Sequence, residues 1–221
     1  MNSLEYNEAL RIDKRTYIQF YLSLLRTNHL FIFSFCPNKD YNSRIIKIFL
    51  FFFCFTAHFT VNALFFTDQT MHKILEDHGQ FNFIYQFLKT LYSSVISGIF
   101  NAVIKKLGLS EKTLIELKKE KNCKDIVNKE NQVLKTLKIK FIFFFIFALI
   151  LLGAFWYYIT CFCGVYINTK IQLIKNTLIS FASSLLYKFG ICLLPGIFRI
   201  PALKDKDKPY LYKFSNLLQI L

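Results

Sequence analysis

The sequence has little of what builds turns or cross-linked frameworks: its 221 residues include seven Gly, four Pro and six Cys. No CxxC pair and no Cys–His spacing of the zinc-finger type occurs, so a small domain held by metal or disulfides is excluded. Intrinsic disorder is excluded as well, because 54% of the residues are hydrophobic. Aromatic residues are abundant instead, with 27 Phe and 12 Tyr.

The apolar residues are gathered into long blocks without charge, which is atypical of a soluble domain. A helix needs about 20 apolar residues to cross the hydrocarbon core of a bilayer. The block at 141–163 is the clearest, since it contains no charged residue. The sequence therefore predicts an all-α, multi-pass membrane protein with about four transmembrane helices, near residues 48–66, 81–104, 141–163 and 177–198.

The fourth predicted span is the weakest, because Lys188 lies at its middle and Pro195-Gly196 near its end. A central Lys costs about 2.5–3.5 kcal/mol on the insertion scale. The Leu, Ile and Phe residues of the same block together contribute a favourable insertion free energy of about 3–7 kcal/mol. A full crossing is favoured by this comparison, and a re-entrant hairpin is the alternative.

Positive charge predicts the orientation of the spans. The formal net charge is +14, from 28 Lys and Arg against 14 Asp and Glu. The few Arg residues argue against a nucleic-acid partner, whereas Lys beside apolar blocks is typical of cytosolic loops. Segments rich and poor in Lys alternate, which predicts that both termini lie in the cytosol. The expected organisation is a cytosolic segment (1–47), a membrane domain (48–198) with a basic cytosolic loop (105–140), and a cytosolic tail (199–221).

Two segments outside the spans are expected to touch lipid. Residues Tyr17 to Cys36 are apolar but interrupted by polar side chains, so they predict an amphipathic helix at the membrane interface. Within the 105–140 loop, residues Ser110 to Asn122 predict a short helix with several Lys. That helix could contact anionic lipid, although the loop is expected mainly to fix the orientation.

Polar side chains within the spans are the candidate functional residues, because such groups are costly in a bilayer. His58 and Asn62 share one face of the first span, and Ser94, Gly98 and Ala102 form a face of small residues on the second. We interpret these groups as helix-packing contacts with interhelical hydrogen bonds; a narrow permeation path is the alternative. The candidates are His58, Asn62, Ser94, Asn101, Ser184 and Lys188.

No catalytic constellation is found in the sequence, and no cofactor is expected. The predicted spans contain no Asp, and no Ser is placed convincingly against a membrane His, so intramembrane protease chemistry is not indicated. The stretch MHKILEDH (71–78) could bring His72 and Glu76 together on a helix as metal ligands. A solvated turn is the preferred interpretation, and no metal site is predicted.

The order of several phrases along the chain indicates a family. They are DKRTYIQFY (13–21), DYNSRIIKIFLFFF (40–53), FTVNALFFTDQTMHKI (59–74), FNFIYQ (81–86), FWYYITCFCGVY (155–166) and LLPGIFRIPAL (193–203). Together they resemble the multi-span membrane module of large, mostly uncharacterised ciliate membrane proteins, in which the module often lies towards the C-terminus. That family favours Pro where this chain has Lys188. The resemblance implies a membrane protein and supplies no functional residue.

The function predicted from the sequence is a non-enzymatic membrane anchoring or assembly module. The alternative is a subunit of a channel or transporter with a polar path between its helices. The expected partners are the lipid bilayer, anionic lipid at the 105–140 loop, and further copies or a larger membrane assembly. The sequence does not distinguish the plasma membrane from an endomembrane.

Overall fold

The computed structural model describes all residues except 1, 3, 38–39, 77–82, 112, 116–122, 206–207 and 220–221. Every regular element of that part is a helix, which confirms the predicted all-α class. The helices are α1 (Tyr6–Ile12), α2 (Tyr17–Asn28), α3 (Leu30–Phe35), α4 (Arg44–Leu64), α5 (Asp68–Glu76), α6 (Phe83–Gly108), α7 (Cys123–Val165), α8 (Lys170–Ile191), α9 (Leu194–Lys204) and α10 (Pro209–Leu218).

Four stretches of helix are long and apolar enough to cross a membrane by length and composition, as the sequence predicts. Most of their outward side chains are apolar and exposed. On α7, Leu149 is 73% exposed and Ile150 63% exposed. The four stretches are Arg44–Leu64, Phe87–Ile115, Glu130–Val165 and Lys170–Lys204.

The chain forms two compact units. The central unit comprises Lys39–Ser183, and the terminal unit joins Met1–Asn38 to Ser184–Leu221. The sequence predicts the N-terminal segment and the C-terminal tail as separate regions, whereas the structure folds them together. The physical reason is a shared apolar core, in which Ala9 packs with Ala202 and Tyr212.

Packing in the central unit centres on α4, α6 and α7. Aromatic rings fill the space between them: Phe53 lies 5.9 Å from Phe155, measured between ring centroids. The close approach of the helices requires Gly108 at the end of α6. A Cβ atom at that position would lie 2.8 Å from the ring of Phe144 and 3.0 Å from Ile46.

Residues 105–108 of the region predicted as a basic loop, 105–140, belong to α6, and the region is helical again from residue 123 onward. Most of the short helix predicted at Ser110 to Asn122 lies outside the described residues. Helix α7 has 43 residues and is continuous with the third predicted span, so it is about 65 Å long. The difference has a simple cause: half of the residues from 123 to 140 are Lys, Glu, Gln or Leu, which are good helix formers, and none is Pro or Gly. Nothing in that stretch ends the helix where the apolar block begins.

The fourth predicted span, 177–198, also differs from the helix that contains it. Helix α8 begins earlier, at Lys170, and ends at Ile191; a turn follows, and Pro195 lies in the first turn of α9. Proline fits the first turn of a helix but not its interior, which explains the break. Lys188 consequently lies in the last turn of α8, and it stays near the middle of the apolar stretch Lys170–Lys204.

The predicted interfacial helix from Tyr17 to Cys36 is divided in two at His29. Thr16 and Gln19 form a capping box at the start of α2. The His29 ring accepts from the Ile32 N–H through Nδ1 at 3.4 Å, and Nε2 contacts the Leu185 carbonyl oxygen at 3.0 Å. The pKa of His29 is lowered, mainly because the side chain is buried, and the charge of Lys188 lowers it further. Hydrogen bonds to the backbone raise the pKa but do not offset these two effects. A neutral imidazole therefore ends one helix and begins the next.

Candidate functional site

The central unit holds a buried set of polar side chains, which we call the polar seam: His58 and Asn62 on α4, Ser97 on α6, and Thr177 and Ser180 on α8. His58 and Asn62 are 1% and 3% exposed, and Ser97 is 2% exposed. Residues four apart lie on one face of a helix, which is why His58 and Asn62 point the same way.

Hydrogen bonds join the three helices across the polar seam. The Nε2 atom of His58 lies 2.9 Å from the Ser180 hydroxyl oxygen, and its Nδ1 atom lies 3.5 Å from the Ser97 hydroxyl oxygen. The Asn62 amide donates to the Thr177 hydroxyl at 2.8 Å. All five groups are uncharged as long as the imidazole is neutral. The arrangement can therefore hold helices together within an apolar surrounding at modest electrostatic cost.

Several other buried polar groups are satisfied within their own helices. The hydroxyls of Thr56 and Thr60 donate to the carbonyl oxygens four residues earlier, at 3.0 Å each. Ser94, a candidate from the sequence, donates to the Thr90 carbonyl oxygen at 2.6 Å. Ser94 thus makes a local contact on α6 and does not join the polar seam.

Two side chains of α6 flank Ser97 on the same face, four residues before it and four residues after it: Ser93 and Asn101. Ser93 is fully buried. Within the described part of the chain, the Ser93 hydroxyl and the Asn101 side-chain oxygen have no hydrogen-bond partner. Asn101 was a candidate from the sequence, whereas Ser93 was not, although its spacing of four from Ser97 was visible.

The remaining candidates, Ser184 and Lys188, lie on the part of α8 that belongs to the terminal unit. Ser184 is buried and Lys188 is half-buried. They follow Ser180 at spacings of four and eight, as the sequence indicates. They are not among the five residues of the polar seam.

The possible metal ligands in the stretch MHKILEDH (71–78) are only partly described. His72 and Glu76 do share a face of α5, with Nε2 of His72 3.2 Å from a carboxylate oxygen of Glu76. Both side chains are exposed, and Asp77 and His78 lie outside the described residues. Among the residues that are described, no group of three His, Cys, Asp or Glu is placed to hold a metal ion.

The terminal unit contains a charged cluster that the sequence analysis missed. We call it the arginine cluster: Asp13, Arg15 and Arg199, with the rings of Phe20 and Tyr212. Arg199 is fully buried and donates to the Asp13 carboxylate at 3.0 and 3.2 Å. Arg15 binds the same carboxylate in a bidentate manner, at 2.6 and 2.7 Å.

Aromatic rings and backbone complete the surroundings of the Arg199 guanidinium. Its central carbon lies 4.6 Å from the ring centre of Tyr212 and 5.0 Å from that of Phe20, both within the range of cation–π attraction. The Arg199 guanidinium also donates to the Asn2 carbonyl oxygen at 3.2 Å. Five donors of a buried guanidinium need such partners, because an unpaired buried charge is strongly unfavourable.

The Asp13 carboxyl group titrates below its ordinary range. Burial raises its pKa, but the hydrogen bonds and charges of Arg15 and Arg199 outweigh burial, so the pKa of Asp13 is lowered from 3.8. The cluster is thus charged near neutral pH. One signal in the sequence could have indicated it: Arg199 is a single charge within the apolar phrase LLPGIFRIPAL, and a charge in such a place needs a partner.

Comparison with known proteins adds no family to this description. No protein-family model matches the chain, and neither a curated protein nor a solved structure matches it significantly. The fold and the polar seam define a class, a helical protein with four helices able to span a membrane. The resemblance to the ciliate membrane module stays a prediction.

Proposed function

We propose that the chain is a multi-pass integral membrane protein that serves as a membrane anchoring or assembly module without enzymatic activity. The observation that carries this proposal is the distribution of polarity in the helices able to span a membrane. Their outward faces are apolar, as at Leu149 and Ile150. The side chains of the polar seam are buried and bind one another, as His58 does with Ser180. Such a seam joins helices, and because its polar groups already bind one another, few of them remain to bind a passing solute.

The terminal unit supports an even number of crossings. The Tyr212 hydroxyl donates to the Leu4 carbonyl oxygen at 2.8 Å, and the Tyr6 hydroxyl donates to the Ala202 carbonyl oxygen at 3.3 Å. These contacts bring the start of the chain to residues at and beyond the end of the fourth apolar stretch, so both ends of the chain lie on one side of the membrane. The positive charge of these segments favours the cytosolic side.

Helix α7 suggests how such a module could support assembly. Its apolar part, from residue 141 to Val165, suffices to cross the bilayer, and 18 residues precede that part. At 1.5 Å per residue they extend about 27 Å beyond the hydrocarbon core. Lys135 and Lys138 are exposed on this extension. The extension offers a basic surface to anionic lipid or to another protein.

Extraction and flux measurements test the proposal together. The purified chain should remain with membranes after alkaline carbonate treatment and require detergent for solubility. Sealed vesicles containing it should hold gradients of protons, alkali cations and chloride as well as empty vesicles do. Release of the protein by carbonate would refute integral insertion, and rapid dissipation of a gradient would refute a purely anchoring role.

A channel or transporter subunit is the second candidate, and one observation favours it. The free hydroxyl of Ser93 and side-chain oxygen of Asn101 lie on the α6 face that contacts His58, where a solute or water could bind them. Cysteine substitutions at Asn62, Asn101 and Ser184 distinguish the two candidates. In an aqueous path all three should react with polar thiol reagents in intact membranes, whereas in a closed seam Asn62→Cys should stay inert.

A further inference from the structure

The last helix, α10, has two faces of different character. Tyr212 and Ser215 are buried against the terminal unit. Tyr210, Phe214 and Leu217 form an apolar stripe at spacings of four and three, and they are 63%, 46% and 64% exposed. Residues at these spacings share one side of a helix. An apolar stripe on a helix whose other side is already packed requires a further apolar contact.

Specific contacts fix the orientation of α10, so the stripe cannot turn inward. The Ser215 hydroxyl donates to the Pro195 carbonyl oxygen at 2.8 Å, and the Tyr212 hydroxyl donates to the Leu4 carbonyl oxygen at 2.8 Å. The ring of Tyr212 also covers the buried guanidinium of Arg199. Rotation of α10 would break all three contacts.

The apolar surface continues from α10 onto α9. Phe214 contacts Phe198 edge to face, with ring centroids 4.9 Å apart. Next to Phe198, Ile197 is 52% exposed, and Leu194 one turn earlier is 43% exposed. Both helices therefore contribute to one apolar patch. Helix α9 is itself the end of a stretch, Lys170–Lys204, that is apolar enough to enter a membrane.

Lysine residues border the patch, as is common where a helix lies on anionic lipid. Lys204 and Lys213 are exposed, and Lys213 precedes Phe214 on α10. Lys208 at the start of α10 pairs with Asp205 at 2.7 Å, and its side chain is 43% exposed. An apolar stripe beside Lys side chains matches the acyl boundary and the phosphate layer of a bilayer surface.

Chain length places α10 close to the membrane. It begins at Pro209, five residues after Lys204, where the apolar stretch ends. Five residues span about 18 Å at most, which is less than the thickness of a bilayer leaflet with its headgroups. The helix is therefore tethered beside the surface through which the preceding stretch enters.

We propose that α10 is an interfacial helix whose stripe of Tyr210, Phe214 and Leu217 inserts between anionic lipid headgroups. This inference depends on the proposed membrane insertion of the chain, and it adds a membrane contact to the cytosolic tail expected at 199–221. The terminal unit then lies against the lipid surface through α10 and the adjoining part of α9.

Tryptophan fluorescence tests this position, because Trp156 is the one tryptophan of the chain. In the full chain carrying Trp156→Phe and Phe214→Trp, reconstituted in vesicles with phosphatidylserine, the emission should be blue-shifted and shielded from acrylamide. Lipids brominated near the headgroup should quench it, and they should quench it more than lipids brominated deep in the chains. The shift should decrease in vesicles of neutral phosphatidylcholine. Leu217→Trp, on the same stripe, should behave alike.

Four results would overturn the inference or what it rests on. Quenching by acrylamide and not by brominated lipid would place the stripe in water. Shielding that appears only at high ratios of protein to lipid would identify a second copy as the occupant. The unmodified chain serves as the control: if brominated lipid quenches Trp156 but not a tryptophan at 214, the interfacial helix is wrong and membrane insertion stands. If neither is quenched, membrane insertion itself is wrong.

Discussion

The two units of this molecule bury polar groups in different chemical forms. Between the helices of the central unit the buried groups are a neutral imidazole, an amide and hydroxyls, as His58, Asn62 and Ser180 show. Its ion pair between Lys47 and Asp40 lies at the first turn of α4, beyond the predicted span. The terminal unit instead buries a full ion pair, Arg199 with Asp13.

The difference follows from the surroundings that each unit is proposed to have. In hydrocarbon no water solvates a charge, so a charged side chain there is costly in free energy. Hydrogen bonds between neutral groups join helices at a lower cost. At the membrane surface a buried pair such as Arg199 and Asp13 can be assembled from hydrated charges. The central unit should therefore tolerate loss of one polar contact better than the terminal unit does.

The largest effect is expected from Arg199→Met, which leaves the rest of the arginine cluster in place without its central cation. Breaking a buried pair by removing one partner costs about 3–5 kcal/mol. We expect a loss of this size in the free energy of unfolding in detergent, followed by circular dichroism during a denaturant titration. Arg11→Met is the matched control, since Arg11 is exposed on α1. Equal stability of the two variants would contradict the importance of the cluster.

Acid should weaken the terminal unit through Asp13. The folded-state pKa of Asp13 lies below the ordinary 3.8, so its stabilising effect is complete above that value and is lost as the pH falls through the folded-state pKa. Unfolding of the unmodified protein should become easier on acidification below about pH 4. In Asp13→Asn that part of the pH dependence should vanish. Identical pH profiles for both proteins would be evidence against the charged pair.

Gly196→Ala should disturb the packing of α9 on α2. A Cβ atom at Gly196 would lie 2.6 Å from a ring carbon of Tyr17, whose hydroxyl is held by the Leu193 carbonyl oxygen at 3.0 Å. Overpacking of this kind costs about 1–3 kcal/mol. Gly98→Ala is the control, because nothing lies within 4 Å of a Cβ atom there. If Gly196→Ala has the melting temperature of Gly98→Ala, the close approach is not present.

The smallest effect concerns the polar seam and needs a double-mutant cycle to be seen. Asn62→Ala and Thr177→Val remove the two sides of the hydrogen bond at 2.8 Å. Hydrogen bonds between membrane helices average about 0.6 kcal/mol and reach about 1.7 kcal/mol. We expect a coupling energy within that range from unfolding in mixed micelles. Thr60→Ala, which removes a contact within α4, should not couple to Thr177→Val.

The sequence was sufficient for the helical class and the approximate place of the apolar helices, because both follow from local composition. It placed His58 and Asn62 on one face for the same reason. It could not give the partners, since Thr177 is 115 residues from Asn62 and Asp13 is 186 residues from Arg199. Pairing over such distances depends on how helices pack and not on spacing.

Helix ends were harder to place than helices. Nothing in the residues before 141 stops α7, so the boundary of the apolar block is not the boundary of the helix. At the fourth span, Pro195 did mark an end, and the helix before it simply began seven residues earlier than predicted. Lys188 therefore lies in the last turn of α8.

Accessibility of single cysteines tests the central claim, that four helices cross and both terminal segments lie on one side. In a variant without its native cysteines, Cys should be introduced singly at Lys14, Gln69, Lys135, Asn168 and Lys208. With a membrane-impermeant maleimide on intact cells, positions 69 and 168 should react, whereas positions 14, 135 and 208 should react only after permeabilisation. Opposite behaviour of positions 14 and 208 would contradict both the even number of crossings and the shared terminal unit.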